Sequence, residues 1–223
     1  MILSSYHQLC LTQGPDQHGG RRRLCQNTIP NATTRDTEMM PNPLLDFSGL
    51  PRFKEIRPEH VTPAIDQLLE AARAAVSRLS TAGSPPDWDN FVEPLEDVTE
   101  QLSRCWNIVG HLNAVVNTPE IREVYNNNIA RLSAFWSELG QNAGLFAGFK
   151  ALQAQAGFEQ YNCARRKIVQ NQLRDFRLSG VELPDAQKAR FAELQSQLAE
   201  LSARFEQHVL DATDAFALYL DRA

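Results

Sequence analysis

PDAQKARFAELQSQLAELSARFEQHVLDATDAFALYLDRA, residues 184–223, decides the fold class. Its apolar positions Phe191, Leu194, Leu198, Leu201, Phe205, Val209 and Ala212 recur in steps of three and four, which draws one stripe along a long α-helix. The ordinary place for such a stripe is the buried face of a core shared with neighbouring helices, and burial is what the spacing predicts here. The stripe carries no reactive group. Neither Gly nor Asn follows its last residues, no proline stops it, and Phe216, Leu218 and Leu220 are still apolar. The pattern therefore predicts a helix that runs into the end of the sequence as an element cut short.

Working back from this helix, the connection LSGVELP at 178–184 supplies Gly180 for a turn and Pro184 for the helix start. From Asn162 to Phe176, residues Ala164, Ile168, Val169, Leu173 and Phe176 predict another helix, with Arg165, Arg166 and Lys167 on its wet side. A short helix from Leu145 to Leu152 is expected before it, although Gly140, Gly144 and Gly148 loosen the segment and each glycine costs about 1 kcal/mol in a helix interior. Thr118 and Pro119 read as cap and first residue of a helix carrying Ile121, Val124, Tyr125, Ile129, Leu132, Trp136 and Leu139. Asp87 caps the one before, which runs from Trp88 to Leu112 and which Pro94 should kink or split. Thr62 and Pro63 repeat the cap-plus-proline start for Ile65, Leu68, Leu69, Ala72, Val76 and Leu79. Between Pro43 and Ile56 the apolar residues keep no period and prolines punctuate them, which predicts an extended arm pinned onto a helical body. No stretch alternates as a strand would. The fold class is all-α, an array of roughly six or seven helices joined by short connections.

Composition sets the remaining bounds. The chain has 223 residues, 43% hydrophobic and 22% charged, with no apolar run near the roughly 18 residues of a membrane span. A net charge of -5 gives no electrostatic reason for nucleic acid or an anionic membrane as partner. Residues 1–40 are rich in Gln, Asn, Thr and Gly, which predicts a disordered tail ahead of a helical domain at 41–223. His7, Cys10, His18 and Cys25 in that tail lack the paired short spacing of a zinc module, and Arg21 to Arg23 read as a solvated run. Four cysteines so far apart do not make a disulfide framework, and a reducing cytoplasm fits them best. Cys105 and Cys163, both in helical patterns beside apolar neighbours, are expected to be inert small hydrophobes.

A catalytic reading finds little to hold. The chain lacks HExxH, the spacing that sets two zinc ligands and a glutamate base on one helical face, and it lacks GxSxG, GxxxxGK[ST] and GxGxxG. His60, in RPEHVTPAI, suits a surface or capping role at a helix start. His111, between Gly110 and apolar residues, suits a hydrogen-bonded and partly buried one. His208 falls beside the stripe of the last helix. Asp211 and Asp214 stand one turn apart, a spacing usual for solvated carboxylates.

Several stretches together resemble a known family. They are NPLLDFSGLPRFKEIRPEHVTPAI, WDNFVEPLEDV, HLNAVVNTPEIREVY, LRDFRLSGVELP and FAELQSQLAELSARFEQHVLDAT, and in this order they are similar to the oligopeptidase A group of the thimet-oligopeptidase-like zinc metallopeptidases across residues 42–223. The resemblance implies the helical N-terminal portion of a cytoplasmic zinc endopeptidase that cuts short peptides, cleaved signal peptides among them, with this portion forming one wall of a deep channel. It implies zinc in the full-length enzyme, none held by this chain, and a missing C-terminal catalytic part as partner. No catalytic residue carries over, because no position here matches one; His60, His111 and Asp211 are the positions expected to face the channel. His208 stands where the family pattern has asparagine. MPNPLLDF looks like a natural start for the family, so residues 1–39 are expected to come from a start codon set too early. The alternative is a freestanding helical module for binding peptides or proteins, which should end its last helix cleanly. A homodimer through the Phe191 to Ala212 stripe is a third, for which about three heptads are short.

Overall fold

The computed structural model describes residues 42–81 and 83–218. The expectations for the tail at 1–40, its histidines, cysteines and arginines, and for Leu220 lie outside these residues. Among the described residues the regular structure is all helical, with six α-helices, two 3-10 turns and no strand.

The arm is pinned onto the body as the sequence predicts, but it is bent and turned where an extended course is expected. Asn42 accepts the Leu44 N–H at 3.0 Å and donates to the His60 carbonyl at 2.7 Å, starting a 3-10 turn at Pro43–Leu45. Leu44 and Ile56 are buried, and Arg104 holds the irregular stretch between them by donating to the Phe47 carbonyl at 3.1 Å. Helix α1, Pro58–Ser80, begins earlier than Thr62 and Pro63 suggest. Pro58 also suits a first helical position, the His60 Nδ1 accepts the Arg57 N–H at 3.1 Å, and the earlier start buries Val61. Thr62 caps nothing; its hydroxyl accepts from Asn128 at 3.0 Å.

Asp87 and Asn90 cap each other reciprocally at the head of a single π-turn, Trp88–Val92, after which α2 runs Glu93–Val115. Pro94 sits at the start of α2 and so splits the predicted helix where no interior hydrogen bond is lost. Helix α3, Pro119–Gly140, starts on its Thr118 cap as read. Helix α4, Ala143–Gln153, is capped by Asn142 and α5, Cys163–Leu178, by Asn162. Gly180 turns the chain with a φ of 85°, a left-handed conformation that favours glycine, and leads to α6, Asp185–Ala215.

Helices α1 and α2 form a hairpin, and α3 lies against both. The pairs Thr62–Asn128, Asp66–Arg131 and Arg73–Glu138 ascend together, so α1 and α3 run parallel. Trp106 of α2 stacks on Tyr125 of α3 with centroids 4.6 Å apart. Helix α4 closes the other end of this layer, where Phe149 meets Phe91 edge to face and Phe176 at a tilt. Of the three glycines that argued against α4, Gly140 is the last residue of α3, and the two inside α4 have a packing reason. A methyl group at Gly144 would stand 2.5 Å from the Ser80 carbonyl oxygen, and one at Gly148 would stand 2.4 Å from the Phe91 ring. The helix lies closer to its neighbours than any side chain there would allow.

The last helix corrects the opening expectation. α6 runs antiparallel to α3 and rests on it through small and polar side chains, with Ala203 its one buried residue among those described. The stripe predicted to be buried is exposed along Leu194, Leu198, Leu201, Phe205 and Val209. The reason lies in α3, whose Ile121, Leu132, Phe135 and Leu139 are already spent in the core, leaving α6 a seat made of Arg122, Asn126 and their neighbours. Nor does the helix run on as read: it ends at Ala215, and Phe216 is extended.

Candidate functional site

The topology brings the three sequence-selected residues to one end of the array. There α1 begins with His60, α2 ends just past His111, α3 begins, and α6 delivers Asp211 onto Arg122 of α3. His60 is half-buried with Nδ1 committed to the Arg57 N–H, the capping role read from the sequence. His111 departs from its reading: it is exposed, its ring 5.5 Å from that of Phe53. The inward face of α2 passes through Cys105, Trp106, Val109, Leu112 and Asn113, and position 111 falls on the other side of that arc. Asp211 is not simply solvated either. Arg122 donates to both its oxygens, at 2.7 and 3.3 Å, and this bidentate bond holds the carboxyl below its usual range, with burial opposing and the charges of Arg122 and His208 assisting.

Beside this pair opens a cleft of about 520 Å³ lined by Asn117, Pro119, Arg122, Glu123, Asn126 and Asn127. Arg122 is fixed there from both sides, since its Nε and Nη2 also donate to the Asn117 Oδ1 at 3.2 and 3.0 Å. Asn117 has a φ of 50°, a left-handed geometry that asparagine tolerates, and that turn is what points its amide back at Arg122. Gln207 of α6 closes the wall with a 2.9 Å bond to the Asn126 Oδ1. The Asn117 and Asn126 amide oxygens are occupied by these bonds, which leaves their N–H groups and the Asn127 carboxamide as the hydrogen-bonding groups of the lining. Among the residues lining the cleft none is a nucleophile paired with a base. Sequence reading missed its lining; the one signal was the run Asn126 to Asn128, weak helix formers at the heart of a helical period.

The cysteines divide. Cys105 is fully buried and burial pushes its thiol up to about 12, as befits an inert core residue. Cys163 corrects its reading, because it opens the first turn of α5 on the exposed side. Among the described residues no three His, Cys, Asp or Glu side chains gather as a metal site would require, and no helix is long and apolar enough to cross a membrane.

The N-terminal-domain model of neurolysin and thimet oligopeptidase matches residues 65–188, from the first turns of α1 to the first turn of α6. The chain belongs to this family. It is 39% identical over 174 residues to oligopeptidase A of Haemophilus influenzae and 40% identical over 174 residues to oligopeptidase A of Escherichia coli, matches that cover 78% of this chain. It is also 29% identical over 189 residues to a dipeptidyl carboxypeptidase of Salmonella typhimurium, covering 83% of this chain. The matches take in 25%, 26% and 28% of those proteins, so this family member spans about a quarter of the length of the relatives it matches.

Proposed function

We propose that the chain is the N-terminal, non-catalytic portion of a zinc-dependent oligopeptidase of the cytoplasm, forming one wall of the channel through which short peptides, cleaved signal peptides among them, reach a catalytic part. The observation that carries this is the family match: an N-terminal-domain model over 65–188 and an identity near 40% confined to about a quarter of each oligopeptidase A. The end of the array where His60, His111 and Asp211 gather, with its amide-lined cleft, is the face offered to the channel. The described residues do not fit zinc, having no ligand set for it, so the metal belongs to the catalytic part and this chain's own share is to bind and orient peptide backbone.

The test incubates the full chain with short peptides and zinc, alone and mixed with the E. coli oligopeptidase A segment that lies beyond the match. No cleavage alone and cleavage in the mixture is the expected result. Zinc-dependent cleavage by the chain alone would refute the non-catalytic reading. Cleavage in neither arm would favour the second reading, a freestanding helical interaction module.

A further inference from the structure

Helix α6 presents a surface that none of the described residues covers. Leu194, Leu198, Leu201, Phe205 and Val209 are 47%, 47%, 59%, 69% and 48% exposed. At 100° per residue they fall within an arc of about 80°, and at 1.5 Å per residue they extend over about 22 Å. The face that rests on α3 carries the buried Ala203 with Gln207 and Asp211 and is centred roughly half a turn away, so seating α6 leaves the stripe open along its whole length. These five side chains expose on the order of 400 Å² of apolar surface, the size of the largest such patch on an ordinary monomer and a mark of an interaction site.

We infer that this stripe is the seat of the rest of the peptidase: an apolar face of the larger catalytic part packs along Leu194, Leu198, Leu201, Phe205 and Val209. This rests on the reading of the chain as one portion of an oligopeptidase, and three observations favour that occupant. The N-terminal-domain match stops at residue 188, in the first turn of α6, so the stripe belongs to a helix that leaves the recognised domain. About three quarters of each matched oligopeptidase A lies outside the match, ample chain to supply the facing surface. The flanking charges point the same way. Arg190 pairs with Glu193 at 2.5 Å and Arg204 with Glu200 at 3.9 Å, each within the helix, so the stripe carries no unbalanced charge and holds its occupant by apolar burial.

The experiment measures binding of the full 223-residue chain to the E. coli oligopeptidase A segment beyond the match, by titration calorimetry, with light scattering to fix the mass of the free chain. Three proteins are compared: wild type, the stripe variant Leu201→Gln with Phe205→Gln, and Val116→Gln, which alters a 53% exposed residue at the end of α2. Glutamine is a good helix former and both stripe positions are exposed, so circular dichroism should show unchanged helicity. The expected result is equal affinity for wild type and Val116→Gln and a loss of at least tenfold for the stripe variant. Equal binding by all three would overturn the stripe while leaving the oligopeptidase reading intact. No binding by wild type, with a dimer that the stripe variant dissolves, would overturn the proposal in favour of a second copy. No binding by a monomeric wild type would overturn both.

Discussion

Gly148→Ala is expected to destabilise the protein although it improves helix propensity. Alanine is favoured over glycine in a helix interior by about 1 kcal/mol, and at Gly110, where the nearest neighbour of a new methyl is the Tyr125 ring edge at 3.9 Å, the whole of that gain should appear. At Gly148 the methyl would stand 2.4 and 2.7 Å from two atoms of the Phe91 ring, against about 3.5–4.0 Å for a comfortable carbon contact. The ring must retreat by more than about 1 Å, and it has nowhere to go: Phe91 is 3% exposed and already packs edge to face on Phe149 at 5.0 Å. Overpacking of this kind costs about 1–3 kcal/mol, and a rigid ring between α4 and the core takes the upper part of that range. The balance is a net loss of about 1–2 kcal/mol for Gly148→Ala and a gain of about 1 kcal/mol for Gly110→Ala. Urea unfolding followed by circular dichroism measures both, as shifts of midpoint in opposite directions at constant slope. Adding Phe91→Leu to Gly148→Ala should cost less than the two changes separately, because the smaller side chain vacates the clash. A Gly148→Ala protein as stable as Gly110→Ala would refute the claim that close packing, not tolerance of poor helix formers, explains the glycine.

Asn128→Ala should cost about 1–3 kcal/mol in the same unfolding assay, since the amide is 1% exposed and its removal leaves the Thr62 hydroxyl without the donor it accepts from at 3.0 Å and takes from Arg131 one of its two partners. Glu96→Gln should stabilise the protein at neutral pH and lose that advantage in acid. Burial raises the folded-state pKa of Glu96 above its ordinary value, despite a 2.9 Å hydrogen bond from Gln172, so its contribution is most favourable below the unfolded pKa and falls as pH rises through the folded one. Melting temperatures at pH 7 and pH 4 check the sign. A maleimide reagent with peptide mapping should label Cys163 in the native protein and Cys105 only after unfolding.

The helices were legible where the chain marks its own caps. Thr118 with Pro119, Asp87 and Asn162 each hold a first turn through a side-chain oxygen, a local interaction that local sequence can announce. Thr62 with Pro63 announces the same and misleads, because the Thr62 hydroxyl is claimed by Asn128, a residue 66 positions away. The stripe on α6 shows a second limit. Periodicity finds an apolar face but says nothing of what lies opposite, and here α3 offers an arginine and an asparagine while the apolar side looks outward. His111 was recoverable, since counting from Cys105, Trp106 and Val109 already places it on the outer arc of α2. The cleft was not, since its lining meets only when the left-handed turn at Asn117 swings its amide onto Arg122.

The chain of polar groups from Thr62 through Asn128 and Arg131 to Asp66 bears on how α1 and α3 find each other. Their facing surfaces are largely aliphatic, and aliphatic ridges would pack almost as well after a slip of one turn, about 5.4 Å along the axis. A slip would put the Asn128 amide against hydrocarbon and part Arg131 from Asp66, exchanging a satisfied network for an unsatisfied one. The buried asparagine thus acts as a detent, giving two sliding cylinders a single resting position and fixing how far the start of α3, with everything built on it, projects from the end of the array.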